Sequence, residues 1–354
     1  MSVTVGPTRV DVAGDRPTRV VVADDSPMMR HIVSASLARA GIQIVGTAGN
    51  GDEALSICER EKPDALALDL TMPGLDGIGV LRALRERGRA EMPVVVVSSF
   101  SPSQGARAVD ALAEGAFDLV AKPATRGDLD AFAQALVEKI TAAAESRLQR
   151  ASGSVSFKVS VSPSRSRVAK AVLIATSTGG PKALAELIPQ LPSPLGIGTL
   201  IVQHMPPGFT RSLAARLNDA SRLEVREAQG DEILDPRVAL IAPGGRHLRL
   251  SADGRTSLSD EPEIGALRPR ADLMIADAAQ VYGDRTVLVV MTGMGNDGLK
   301  GAEAVKAHGG RVLVEAQSTC TVYGMPRAVN DAHLADAVLP LPQLADAIRQ
   351  EATA

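Results

Sequence analysis

Two groups of polar residues stand directly behind short apolar runs, where a chain can present side chains to a ligand. The first group is acidic. Asp24 and Asp25 follow Val20–Ala23, and Asp69 follows Ala65–Leu68. Ser98 closes the next apolar run and Lys122, followed by Pro123, closes the one after. Three carboxylates at one edge repel one another unless a cation joins them, and hard oxygen ligands suit Mg²⁺. A phosphoryl group on Asp69 would meet that metal, the Ser98 hydroxyl and the Lys122 ammonium, each balancing part of its charge. The plainer alternative has Asp24 and Asp25 cap a helix beginning near Pro27. It leaves the placement of Asp69, Ser98 and Lys122 without a reason.

The second group can move a proton. Ala171–Ala175 runs into Thr176-Ser177-Thr178-Gly179-Gly180-Pro181. The glycines allow a tight turn and the proline suits the first position of a helix, so Ser177 sits beside helix-terminal N–H groups able to steady an oxyanion. A serine hydroxyl needs a base to attack anything. Of the five histidines, His31, His247, His308 and His333 each have an ordinary structural explanation. His204 differs: it ends Thr199–Gln203 and is fixed by Met205-Pro206-Pro207-Gly208. A base in turn needs an orienting carboxylate. Asp297 is the only one in the glycine-rich loop Thr292–Gly298, although it could equally cap a helix over Leu299–His308.

The elements that must carry these residues alternate. Val20–Ala23, Ala65–Leu68, Pro93–Val97 and Phe117–Ala121 read as strands. Met28–Ala40, Gly51–Glu61, Gly77–Arg87, Ala106–Glu114 and Arg126–Ala144 read as helices. A second series has strands at Ala171–Ala175, Thr199–Gln203, Ala239–Ala242, Arg285–Met291 and Arg311–Val314. Its helices are Pro181–Ile188, Phe209–Leu217, Arg270–Tyr282 and Leu299–His308, with a hairpin expected over Gly244–Arg255. The expected fold is α/β with two doubly wound parallel sheets, the first flavodoxin-like and the second Rossmann-like with a small β-hairpin. The expected divisions are a flexible leader 1–18, a first domain 19–144, a Ser- and Arg/Lys-rich linker 145–170 and a second domain 171–354. As a coil of about 26 residues that linker would span about 25–30 Å.

Composition narrows the class. With 45% hydrophobic and 22% charged residues the chain is typical of soluble domains, and a net charge of -3 gives no general attraction to nucleic acid. No apolar run reaches the roughly 20 residues of a membrane span, and no secretory leader is visible. Cys58 and Cys320 have no metal or redox spacing, which fits a cytoplasmic protein.

D-D-S-P-M-M-R at 24–30, D-L-T-M-P-G-L-D-G at 69–77, V-S-S at 97–99 and A-K-P at 121–123 resemble a two-component receiver domain. The resemblance implies Asp69 as phosphoacceptor, with Asp25, Asp69 and the Thr71 carbonyl as metal ligands and Asp24 acting through water. Leu119 stands where such domains usually carry an aromatic switch residue. S-T-G-G-P at 177–181, V-Q-H-M-P-P-G-F at 202–209, A-P-G-G-R-H-L at 242–248, T-G-M-G-N-D-G at 292–298 and V-Y-G-M-P-R-A-V at 322–329 resemble the chemotaxis protein-glutamate methylesterases. By that match Ser177 is the nucleophile, His204 the general base and then acid, and Asp297 the orienting carboxylate. Thr178 and the Met294 segment belong to the oxyanion and active-site loops. Three segments depart from the family pattern: Ala175-Thr176, the Leu267 and Arg270 flanks of Arg268-Pro269 (usually His and Ser), and Val314–Gln317.

The resemblance implies a serine esterase that removes methyl groups from glutamate γ-methyl esters of methyl-accepting chemoreceptors and deamidates receptor glutamines. A chemosensory histidine kinase would supply the phosphoryl group. The catalytic domain is expected to need no cofactor, and the protein to be a monomer. Unphosphorylated, the receiver is expected to cover the Ser177 cleft. The competing readings are a catalytically silent regulator and a nucleotide-binding domain with S-T-G-G-P cradling phosphate.

Overall fold

The computed structural model describes residues 16–89, 91–99, 101–151 and 168–352. Most of the expected leader and linker therefore lies outside the described residues. The chain forms two compact units, each built on one parallel sheet.

The first sheet contains β1 (Arg19–Ala23), β2 (Gln43–Ala48), β3 (Ala65–Asp69), β4 (Val94–Ser98) and β5 (Asp118–Ala121), in the order β2-β1-β3-β4-β5. Helices α1 (Pro27–Arg39), α2 (Gly51–Glu61), α3 (Gly77–Glu86) and α5 (Leu129–Ala151) belong to this unit, whereas α4 (Pro102–Ala113), which connects β4 to β5, groups with the second unit. β3 and β4 are buried throughout, which explains their unbroken apolar sequence. Side-chain caps start the helices: the Asn50 and Asp76 carbonyl and carboxyl oxygens accept from Glu53 and Gly79 N–H at 2.9 and 2.8 Å.

The second sheet has seven strands. They are β6 (Ala171–Thr176), β7 (Gly198–Gln203), β8 (Glu224–Glu227), β9 (Val238–Ile241), β12 (Thr286–Val290), β13 (Arg311–Glu315) and β14 (Ala337–Leu339). A separate antiparallel hairpin holds β10 (His247–Leu250) and β11 (Thr256–Ser259). The helices are α6 (Gly180–Leu187), α7 (Phe209–Ala220), α8 (Ala271–Tyr282), α9 (Leu299–Ala307), α10 (Met325–Asp331) and α11 (Leu341–Ala352). Strand order is β14-β13-β12-β6-β7-β9-β8. From β6 the chain proceeds outward through β7 to β9 and β8, then returns to β12 on the other side of β6. That reversal opens a crevice at the carboxyl ends of β6 and β12, the place where such sheets bind ligands.

The α/β reading and both sheets agree with expectation, and several element boundaries need correction. Strands β2, β8 and β14 and helices α10 and α11 were not expected. The linker does not begin at 145: α5 continues to Ala151 through strong helix formers, with Ser146 Oγ donating back to the Ala143 carbonyl at 2.8 Å. The hairpin extends beyond Arg255 to Ser259. Among the described residues no helix is long and apolar enough to cross a membrane.

Candidate active site

Register places the second group of residues side by side. Thr176 pairs with Gln203 across β6 and β7, and the ladder continues with His204 N–H donating to the Thr176 carbonyl at 3.1 Å. Ser177 and His204 are thus next neighbours beyond the last strand pair. On the other flank Val290 pairs with Ala175, and Ser177 N–H donates to the Thr292 carbonyl at 3.0 Å. The nucleophile candidate is held between the ends of two strands.

Gln203 tightens this arrangement. Its buried Nε2 donates to the carbonyls of Ser177 at 2.9 Å and His204 at 3.2 Å. Thr292 closes the other side, its hydroxyl donating to the Thr178 carbonyl at 2.9 Å while accepting from Val322 N–H at 3.0 Å. Glycine is required at two points. Gly179 has φ +80°, and a Cβ there would fall 2.3 Å from Thr321 Cβ. A Cβ at Gly293 would fall 2.8 Å from Ser177 Cβ and displace the serine.

His204 Nε2 lies 2.7 Å from Asp297 Oδ2. The carboxylate can only accept, so Nε2 carries the proton and neutral imidazole presents the Nδ1 lone pair as its basic site. Nδ1 is buried and has no hydrogen-bond partner. It makes no bond to the Ser177 hydroxyl in this structure. In ligand-free sites such catalytic hydrogen bonds commonly tighten only when substrate is bound.

Asp297 is the most fully satisfied carboxylate here. Its side chain is 0% exposed. Oδ2 also accepts Ala271 N–H at 2.6 Å, and Oδ1 accepts Asp272 N–H at 2.9 Å and Gly298 N–H at 3.0 Å. Two of these donors form the first turn of α8, whose positive dipole end favours the anion. Burial alone would raise the Asp297 pKa, but the His204 bond and charge and the α8 amides outweigh it and hold it at about 2. Asp272 returns the favour: its Oδ1 accepts Gly298 and Gly301 N–H at 2.8 and 2.9 Å, capping α9. Sequence reading left Gln203, Asp272 and Arg270 without roles. The available signals were Arg270 as a departure from the family pattern, Gln203 within the V-Q-H-M motif, and an Asp in the first turn of one helix facing an Asp just before another.

The acidic group also assembles. Oxygen atoms of Asp24, Asp25 and Asp69 lie within 4.8 Å of one another. Lys122 Nζ sits 2.7 Å from Asp24 Oδ2 and 2.8 Å from Asp69 Oδ2. Burial pushes the Asp69 carboxyl above its usual range, Lys122 opposes this, and the Asp24 charge adds to it. Octahedral Mg²⁺ places its ligand oxygens no more than about 4.2 Å apart, so these carboxylates fit a metal after small side-chain adjustments. Ser98 is buried at the end of β4 with its hydroxyl unpartnered. Lys122 N–H donates to the Ser98 carbonyl at 2.7 Å, which brings both residues to the same edge. Leu119 is fully buried in β5. Thr71 N–H donates to Asp69 Oδ1 at 3.3 Å.

Comparisons with known proteins show the family of each unit. Residues 172–348 match the model of the CheB methylesterase family, and residues 20–134 match that of the response regulator receiver domain. The chain is 41% identical to a protein-glutamate methylesterase/protein-glutamine glutaminase of Symbiobacterium thermophilum, over 94% of this chain and 96% of that one. A Thermotoga maritima protein of the same description is 39% identical, over 92% of this chain and 96% of that one. The crystal structure of the Thermotoga maritima CheB methylesterase catalytic domain superposes with a TM-score of 0.50 and 43% identity, covering 51% of this chain and 98% of that one.

Proposed function

The chain belongs to the CheB methylesterase family, the protein-glutamate methylesterases/protein-glutamine glutaminases with a receiver domain, and from that premise we propose that Ser177, His204 and Asp297 carry its chemistry. The observation that carries this reading is the 2.7 Å bond from His204 Nε2 to Asp297, which leaves Nδ1 free as the base one register step from Ser177.

His204 Nδ1 takes the Ser177 proton as the hydroxyl oxygen attacks a glutamyl γ-methyl ester of a methyl-accepting chemoreceptor. Negative charge builds on the carbonyl oxygen, in the pocket bordered by the Thr178 turn and the Met294 loop. Asp297 stays ionised throughout and steadies the imidazolium. His204 hands its proton to departing methoxide, and methanol leaves. Water then enters and attacks the acyl carbon as His204 takes its proton; the acyl bond to Ser177 breaks as His204 returns that proton to the serine oxygen, freeing the glutamate carboxylate. A glutamine side chain follows the same steps and releases ammonia.

In the receiver, Asp69 is the phosphoacceptor for a chemosensory histidine kinase. Asp25, Asp69 and the Thr71 carbonyl would hold Mg²⁺ directly and Asp24 through water, and the metal would neutralise phosphoryl charge there. Ser98 and Lys122 meet the phosphoryl oxygens. Phosphorylation relieves inhibition of the esterase, and the protein works as a cytoplasmic monomer. The test is methanol release from methylated receptor membranes by wild-type protein and Ser177→Ala, with and without a small-molecule phosphodonor. Release that persists in Ser177→Ala would refute the assignment.

A further inference from the structure

We infer that Arg270 is a positioning residue for the esterase reaction, locking the triad carboxylate against His204. This rests on the reading of Asp297 as the orienting group. The Arg270 side chain is only 12% exposed and lies between two buried carboxylates. Its Nε is 3.0 Å from Asp297 Oδ1 and 3.2 Å from Asp272 Oδ2, and its Nη2 is 2.8 Å from Asp272 Oδ2.

The helix ends give a cation there something to do. Arg270 occupies the N-cap of α8 and makes no side-chain cap bond. The α8 amides are taken by Asp297, and the α9 amides by Asp272. This crossed capping locks two helices together but places two anions in one buried spot. Burial and the Asp297 charge together push the Asp272 carboxyl up. A guanidinium hydrogen-bonded to Asp272 and ion-paired with Asp297 Oδ1 offsets the repulsion of the two anions and holds Asp297 by its charge. With Asp297 so held, Oδ2 meets His204 Nε2 at 2.7 Å and the buried Nδ1 is left without a partner.

The Arg270 backbone is itself anchored. Its N–H donates to His247 Nδ1 at 3.1 Å, and His247 Nε2 lies 3.2 Å from the Pro262 carbonyl. His247 thus serves in the support of the triad rather than as an alternative base.

The test uses the full-length chain with Arg270→Gln, which removes the charge, and Arg270→Lys, which keeps it. Two rates are read: labelling of Ser177 by a fluorophosphonate probe, and methanol release from methylated receptor membranes. A misplacement near 1 Å costs about 100-fold, so Arg270→Gln should lose about 10- to 100-fold in labelling rate and in kcat, with KM unchanged. Arg270→Lys should recover most of that loss, and it provides the comparison should Arg270→Gln fail to show a folded thermal transition. Arg270→Gln reacting at the wild-type rate, or Arg270→Lys as impaired as a folded Arg270→Gln or more than about 100-fold below wild type, would overturn the inference. Absence of Ser177 labelling in the wild-type chain would instead sink the triad reading.

Discussion

Each unit holds a buried aspartate near a topological switch point, Asp69 at the end of β3 and Asp297 in the loop after β12, yet the surroundings give the two carboxyls opposite character. Asp69 has one cation, Lys122, and two neighbouring acids, and burial raises its pKa. Asp297 has His204, Arg270 and three backbone N–H donors, and its pKa is held at about 2. The contrast separates two jobs. An under-compensated anion suits the metal-binding and phosphoacceptor role proposed for Asp69. A fully compensated anion is inert and can only hold and polarise its neighbour.

The largest expected effect breaks the catalytic half of that comparison. Ser177→Ala should lower esterase turnover by about 10⁴-fold or more, and Asp297→Asn by about 10³- to 10⁴-fold. Methanol release under single-turnover conditions measures both. Asp69→Asn should leave basal turnover intact and abolish its response to a phosphodonor.

Next in size is release from the receiver. A state closed 99:1 leaves about 1% active, so a piece comprising 168–354 should exceed the unphosphorylated full chain by up to about 100-fold. A piece no faster than the full chain would refute inhibition.

Stability against pH sharpens the contrast. Asp297 has a folded pKa below its unfolded value. Its contribution is present above pH 3.8 and is lost as pH falls through about 2; the difference corresponds to about 2 kcal/mol. Asp297→Asn should therefore lower urea stability at pH 7 and flatten its acid dependence. Asp69 has the opposite sign: its raised pKa favours the protonated form in the folded state. Asp69→Asn should raise receiver stability at pH 7, an advantage that shrinks as pH falls.

The smallest effect concerns Glu315, buried beneath the Thr292 loop and accepting Thr292 N–H at 2.8 Å. Burial raises its pKa. Glu315→Gln keeps an acceptor and removes the charge, and should raise the thermal midpoint of the catalytic unit by about 2–4 °C at pH 7, less at pH 5.

Legibility in the sequence followed burial. Interior strands such as β3, β4 and β12 are apolar on both faces and stood out. The unread strands β2, β8 and β14 all lie at sheet edges, where half-exposed residues such as Glu224, Arg226 and Gln43 blur the pattern. The candidate nucleophile, base and phosphoacceptor were legible because each closes an apolar run. Asp297 was ambiguous between cap and triad member. In the structure its carboxylate accepts from the first turn of α8 and also meets His204. Arg270 stood out only as a departure from the family pattern, and Asp272 not at all, because their roles depend on two helices meeting end to end, a contact that no local spacing encodes.

The proposed chemistry stands on His204 activating Ser177 through Nδ1 while Asp297 holds Nε2. Peptide mapping after fluorophosphonate treatment tests it most directly. The account predicts one modified serine, Ser177, whose labelling collapses in His204→Ala. Label on another serine, or undiminished labelling of Ser177 without His204, would contradict it.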